Sequence, residues 1–254
     1  MYTSILLTAS VFFFAFTQPT WSDTHWDKAV RHFSDNPFLP AKVSIEETLV
    51  GTKGSVEYHS TLESTLFRSA DDTILFAPHT GYANGEEISK GELWKMSKSL
   101  REKELQTNPF TADTTLLRLH REKETRILAG HRCRCFSFSA EIDGHPAEGT
   151  ACLTEKSGLP VEAEWQYIDV PFKKDETTIN SYTHKNFYMI TEQGACHILT
   201  SEISLSLEYT IFFVPYEGRL QRRISFADHR MPQDLPLHSV AGTLTNLPYK
   251  LNHP

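Results

Sequence analysis

Gly130-His131-Arg132-Cys133-Arg134-Cys135-Phe136-Ser137-Phe138-Ser139-Ala140-Glu141-Ile142-Asp143-Gly144-His145-Pro146-Ala147-Glu148-Gly149-Thr150-Ala151-Cys152-Leu153 reads as two alternating strands around an Asp-Gly turn. Asp-Gly between such strands is the strongest short-range signal of a β-hairpin. A two-residue loop pairs Ile142 with His145, and counting outward sets Phe138 against Gly149, Phe136 against Ala151 and Cys135 against Cys152. Phe136, Phe138, Ala140 and Ile142 then share an apolar face with Ala147, Ala151 and Leu153, while Cys135, Ser137, Ser139, Thr150 and Cys152 share the other. Counted from a hydrogen-bonded Ile142–His145 pair, Cys135 and Cys152 fall on a non-hydrogen-bonded rung, where Cα atoms approach to about 4.5 Å and a disulfide can close. Pro146 falls on such a rung too, where its missing amide hydrogen removes nothing from the ladder.

Alternation of period two continues on both sides. Val43, Ile45 and Leu49 alternate with polar residues, as do Val56, Tyr58, Leu62 and Leu66 after the turn at 51–54, and residues 73–77 form a further apolar run. Strand character resumes at Thr114 and covers 116–119, 125–128, 161–168, 178–182, 189–190, 198–213 and 220–226. Two segments have helical period instead. Trp26, Ala29, Val30 and Phe33 follow the cap candidates Ser22, Asp23 and Thr24, and Asn36-Pro37 ends that run. Ser89-x-x-Glu92 is a capping box, behind which Leu93, Trp94, Met96 and Leu100 share one side before Asn108-Pro109 ends the helix. Runs of adjacent strands without intervening helices indicate antiparallel pairing. The expected fold is α+β: one large curved antiparallel sheet over residues 23–230 with two or more helices against it, followed by an irregular tail at 231–254.

The chain has 254 residues, with 32 acidic against 25 basic side chains and a formal net charge of -7. That balance argues against nucleic acid as a partner, because phosphate binding runs on a basic face. Ile5 to Phe16 carries no charge and is shorter than the roughly 20 residues that span a bilayer, which suits a secretory signal. Residues 1–22 are expected to be removed after Ser22, leaving a periplasmic or secreted mature chain with no transmembrane segment. Oxidising chemistry is then open to Cys133, Cys135, Cys152 and Cys196. With Cys135 and Cys152 joined, Cys133 and Cys196 pair with each other or remain thiols.

Signals for chemistry are sparse. Cys133-x-Cys135 with His131, Cys196 and His197 is a candidate set of soft metal ligands, set against oxidation to disulfides. Twelve histidines are present, yet no H-E-x-x-H, G-x-S-x-G or nucleotide-binding glycine loop occurs. Glu46 and Glu47, Asp71 and Asp72, and Glu162 and Glu164 are neighbouring carboxylates that an acid–base pair would need to hold at a defined separation. Arg219, Arg222, Arg223 and Arg230 make the last strand basic, as a surface for an acidic partner or lipid headgroup or as a protected sheet edge. No cofactor is expected.

The hairpin above, continued through Thr154-Glu155-Lys156-Ser157-Gly158-Leu159-Pro160-Val161, resembles the central hairpin and Ser/Thr-Gly-Leu-Pro corner of LolA-, LolB- and RseB-type exported proteins. The resemblance implies an unclosed β-barrel whose concave side is plugged by helices and holds an acyl chain or a partner's peptide. It implies a non-enzymatic carrier of a lipid or acylated ligand, with an envelope interaction or sensing module as the rival reading and a hydrolase behind both. Trp94, Met96 and Leu100 are the candidate ligand-lining residues.

Overall fold

The computed structural model describes residues 23–237 except 36–37, 53–54, 69–73, 94–106, 112, 175–176 and 212–213. The helix α1 (Thr24–Asp35) opens the described chain. Asp23 caps it by accepting the His25 amide hydrogen at 2.8 Å. Twelve strands follow: β1 (Leu39–Gly51), β2 (Val56–Arg68), β3 (Ile74–Ala83), β4 (Glu86–Glu87), β5 (Thr115–Leu128), β6 (His131–Ile142), β7 (His145–Thr154), β8 (Pro160–Tyr167), β9 (Phe172–Lys174), β10 (Thr177–Ile190), β11 (Cys196–Ile211) and β12 (Val214–Arg230). They form one sheet in the order β4-β3-β2-β1-β12-β11-β10-β8-β7-β6-β5, with β9 paired to the end of β10.

The expectation of an α+β unclosed barrel backed by two or more helices is overturned. The protein is mainly β. Among the described residues the helical parts are α1, the single turn at 90–93 and a three-residue 3-10 turn at Pro232–Asp234. The physical reason lies in the connections: antiparallel neighbours are joined by short turns, so the fold has no need of the helical crossovers that parallel strands require. The capping box is formed, with Glu92 N–H donating to Ser89 Oγ at 3.4 Å and Ser89 N–H to Glu92 Oε2 at 3.3 Å. The rest of that predicted helix, with Trp94, Met96 and Leu100, lies outside the described residues, as do segments 1–22 and 238–254. The tail is ordered where it begins: Leu235 is buried, and the Pro236 carbonyl accepts the Arg68 amide hydrogen at 3.0 Å.

The hairpin has the predicted register. Ile142 pairs with His145 and Cys135 with Cys152. Asp143 and Gly144 both take left-handed backbone, φ 53° and 81°, as a two-residue turn matched to strand twist requires. At the Gly-Leu-Pro corner Gly158 has φ 75°, and a Cβ there would sit 3.1 Å from the His25 carbonyl. The corner therefore needs glycine twice over, for its backbone and for the close passage of α1.

One face of the sheet forms the core. Trp26 of α1 packs against Phe110, Phe138 and Phe136, with ring centroids 4.8, 5.3 and 6.3 Å apart. Phe33, two turns later, meets Phe110 and Tyr188. Helix α1 and the segment around Phe110 thus cover the β6–β7–β8 end and part of β10.

Candidate ligand-binding site

Strand register decides which side chains share the inner face. Trp165, His184, Ile203, Arg222 and Glu47 lie in one row across β8, β10, β11, β12 and β1, and Tyr182, Leu205, Leu220 and Leu49 lie in the next across β10 to β1. Beyond them Ile179 stands opposite Leu207. These positions form the floor of an open trough of about 650 Å³, floored by Ile179, Tyr182, Ile203, Leu205, Leu207 and Leu220. That size is within the range typical of small-ligand sites, and an apolar floor with a few polar groups is their usual lining. Leu205, Leu207, Tyr182 and Leu220 stay only partly buried although they face the core side.

The rim is polar. His145 Nδ1 lies 2.6 Å from Asp169 Oδ2, Thr107 Oγ1 donates to Asp143 Oδ2 at 3.0 Å, and Lys173 and Thr177 complete the edge. At the other end Arg222 Nε donates to Glu47, which neutralises this cation in the floor. The His145–Asp169 pair has the form of an oriented base, and the hydroxyls lining the trough belong to Thr107, turned to Asp143, to Thr177 and to the phenols of Tyr167 and Tyr182.

A buried polar network holds the trough's inner wall. Asn186 Oδ1 accepts from Ser201 Oγ at 2.6 Å and lies 3.0 Å from His184 Nε2, while its Nδ2 donates to the Thr107 carbonyl at 2.8 Å. Tyr188 Oη donates to Asn108 Oδ1 at 3.0 Å, and the same oxygen accepts the Phe110 amide hydrogen. These bonds tie segment 107–111 to β10 and β11. Burial pushes the His184 imidazole down to about 3, so it is neutral, and raises the Tyr188 phenol well above its ordinary range.

The opposite face is a ladder of alternating charge. Glu164, Lys185, Glu202, Arg223 and Glu46 succeed one another across β8, β10, β11, β12 and β1. Lys185 Nζ reaches Glu162 at 3.0 Å and Glu164 at 3.4 Å, and Arg223 lies 4.0 Å from Glu202. Neighbouring Glu46 and Glu47 consequently point to opposite faces, and Glu162 and Glu164 share one lysine, so neither pair is an acid–base couple. Asp71 and Asp72 lie outside the described residues. The basic last strand is not an edge: β12 sits in the middle of the sheet between β1 and β11, with Arg222, Arg223 and Arg230 matched to Glu47, Glu202 and Asp228.

Cys135 and Cys152 form a disulfide with Cα atoms 4.0 Å apart. Cys135 is therefore no metal ligand. Cys133 and Cys196 are buried thiols, Cys133 donating to the His131 carbonyl and Cys196 to that of Pro160. Burial raises both thiols, Cys196 to about 12, which keeps them protonated and slow to react. Non-reducing peptide mapping should recover a single 135–152 link, with Cys133 and Cys196 alkylated only after denaturation. The disulfide closes a 17-residue separation, for which chain-entropy reasoning gives about 3 kcal/mol, the loss of unfolding free energy expected on replacing both cysteines by serine.

No family model matches the chain, and no curated protein matches it. Among solved structures, a domain from Vibrio parahaemolyticus, provisionally described as an outer membrane lipoprotein-sorting protein domain, is similar at a TM-score of 0.36 and 10% identity. The match covers 83% of this chain and 94% of that domain. A likeness at that TM-score decides nothing about the site, which stands on this chain's own residues.

Proposed function

We propose that the protein is an exported, non-enzymatic binding protein that shelters a lipid or acyl chain in the trough. The observation that carries this reading is the trough itself: six apolar side chains on β10, β11 and β12 line about 650 Å³ beside a polar rim. Burying apolar ligand surface there is worth roughly 25 cal/mol per Å², so a chain covering a few hundred Å² binds usefully even after its own ordering is subtracted. The polar rim at His145, Asp169 and Lys173 suits a head group held at the mouth. The cross-strand disulfide supports an oxidising compartment, periplasmic or extracellular.

Native mass spectrometry of protein purified from envelope extract should show bound lipid. Leu205→Arg places a cation on the trough floor at a position that is only partly buried, so the fold tolerates it while ligand is lost at least tenfold. A protein that copurifies without lipid, or a Leu205→Arg variant that retains it, refutes the reading. Capture of an envelope protein by the lipid-free form would favour the interaction-module alternative.

A further inference from the structure

We propose that the closed end of the trough is a hydroxyl-recognition site, so that the ligand it takes is an apolar chain ending in a hydroxyl. This rests on the trough being a ligand site and adds the chemistry of the ligand's end.

The trough closes along one row of the sheet. Ile203 and Arg222 line it, and His184 and Trp165 continue their row onto β10 and β8. One row further along the strands, Ala163, Asn186, Ser201 and Ile224 stand opposite one another and are at most 1% exposed. In the other direction the next row carries Tyr182 and Leu205, both part of the lining. Trp165 and His184 therefore sit where the open floor meets solid core.

Each of these two rings holds a polar atom with no hydrogen-bond partner among the described residues, Trp165 Nε1 and His184 Nδ1. Both residues are 1% exposed, and the rings stack at 4.3 Å. Buried polar groups are normally paired, so two on touching rings call for a shared partner. Their chemistry is opposite. An indole N–H only donates. The Tyr167 phenol, which lines the trough, feels that hydrogen: burial raises the phenol, and Trp165 works against the rise. His184 Nδ1 is an acceptor, for a reason that runs through Asn186. Asn186 Nδ2 donates to the Thr107 carbonyl, which only accepts, so Oδ1 is turned to His184 and Nε2 must carry the ring's hydrogen. The neutral ring then keeps a bare lone pair at Nδ1.

A partner for this pair must accept from the indole and donate to the imidazole. A hydroxyl does both, whereas an ether, a ketone or a carboxylate only accepts and an ammonium only donates. Size points the same way. The two nitrogens are sealed from solvent, so a small terminal group reaches them while a phosphate or sugar stays at the rim with His145 and Lys173.

The probes are 1-octanol, its isomer heptyl methyl ether, which lacks the O–H, and heptane. All three should move the Leu205 and Leu207 methyl resonances of the full protein, which reports entry into the trough. Calorimetry should give octanol about tenfold tighter binding than the ether, the worth of one buried hydrogen bond. Nitrogen NMR separates the two contacts: octanol should shift both the Trp165 indole and the His184 Nδ1 signals, the ether the indole alone, and heptane neither. Trp165→Phe keeps a ring and removes the donor, so it should weaken octanol and ether alike by about tenfold. Equal affinity for octanol and ether, or nitrogen signals that octanol leaves unmoved, overturns the proposal and leaves an apolar trough standing. If none of the probes moves the leucine methyls, the trough reading falls and this proposal falls with it.

Discussion

Acidification from pH 8 to pH 5 is expected to remove about 4 kcal/mol of folding stability, through two histidines that the fold keeps neutral. His184 is 1% exposed, stacked on Trp165 at 4.3 Å, and beside Asn186 and the ring of Tyr182, none of which bears a negative charge. Its imidazole is pushed down to about 3, chiefly by burial. His197, on β11, stacks on His229 of β12 at 4.5 Å and meets Phe38 at 5.3 Å, and it is pushed down to about 4 by burial and by the nearby His229 and His32. The unfolded chain binds these protons near pH 6.5, whereas the folded chain refuses them until pH 4 or 3. Stability is therefore complete above about 6.5 and falls as pH drops through the window below it. At pH 5 the solution is about 1.5 pH units below the pH at which the unfolded histidines take up their protons, which is worth roughly 2 kcal/mol apiece. His229, also lowered chiefly by burial, acts in the same direction. Urea denaturation at a series of pH values measures the effect. His197→Phe keeps the ring stack and should halve the slope; equal stability at pH 5 and pH 8, or a full slope in that variant, would show the histidines to be hydrated.

The central hairpin was legible because two independent local signals agree there. A two-residue Asp-Gly loop fixes the register, and period-two alternation fixes the face, so Cys135 could be set against Cys152 by counting alone. Helix α1 and the Ser89 cap were legible for the same reason, each being a pattern within a dozen residues. The trough was not. Ile203, Leu205 and Leu207, spaced by serines, announce a strand with one apolar face, but the incomplete burial of Leu205 and Leu207 depends on which strands lie beside them. That is settled by β12 returning to pair with β1, contacts such as Arg222 with Glu47 across 175 positions. The same long-range pairing is why Arg222 and Arg223, which look like part of a basic edge, are matched to Glu47 and Glu202 in mid-sheet. Nor does the chain around Asn186 advertise a polar network, since Asn186 and Tyr188 meet partners at Thr107 and Asn108 that lie about eighty residues away. A period-two polar pair within an otherwise apolar strand face is the signal that was there to be used.

Asn186→Ala is expected to lower stability by about 4 kcal/mol, more than any other single truncation on this face, because one side chain satisfies several buried groups at once. Asn186 is wholly buried. Removing its amide leaves the Thr107 carbonyl without its 2.8 Å donor, Ser201 Oγ without its 2.6 Å acceptor and His184 Nε2 without its 3.0 Å partner. His184 Nδ1 has no hydrogen-bond partner among the described residues, so the variant leaves that buried ring with neither nitrogen bonded. Each buried group left unpaired costs roughly 1–3 kcal/mol, and a void the size of a carboxamide adds to that. Ser201→Ala removes only one of these bonds and should cost about 1 kcal/mol. The loss has a place as well as a size. Segment 107–111 is fastened to the sheet by Asn186 and Tyr188, and Thr107 lines the trough, so amide exchange at Phe110 and Thr111 should quicken while the β6–β7 hairpin, closed by its disulfide, stays protected. Ligand affinity should fall with it, since the trough loses a fixed wall. A cost under 1 kcal/mol with exchange at residues 107–111 unchanged would mean that α1 alone, through Trp26 and Phe33, keeps this segment on the sheet.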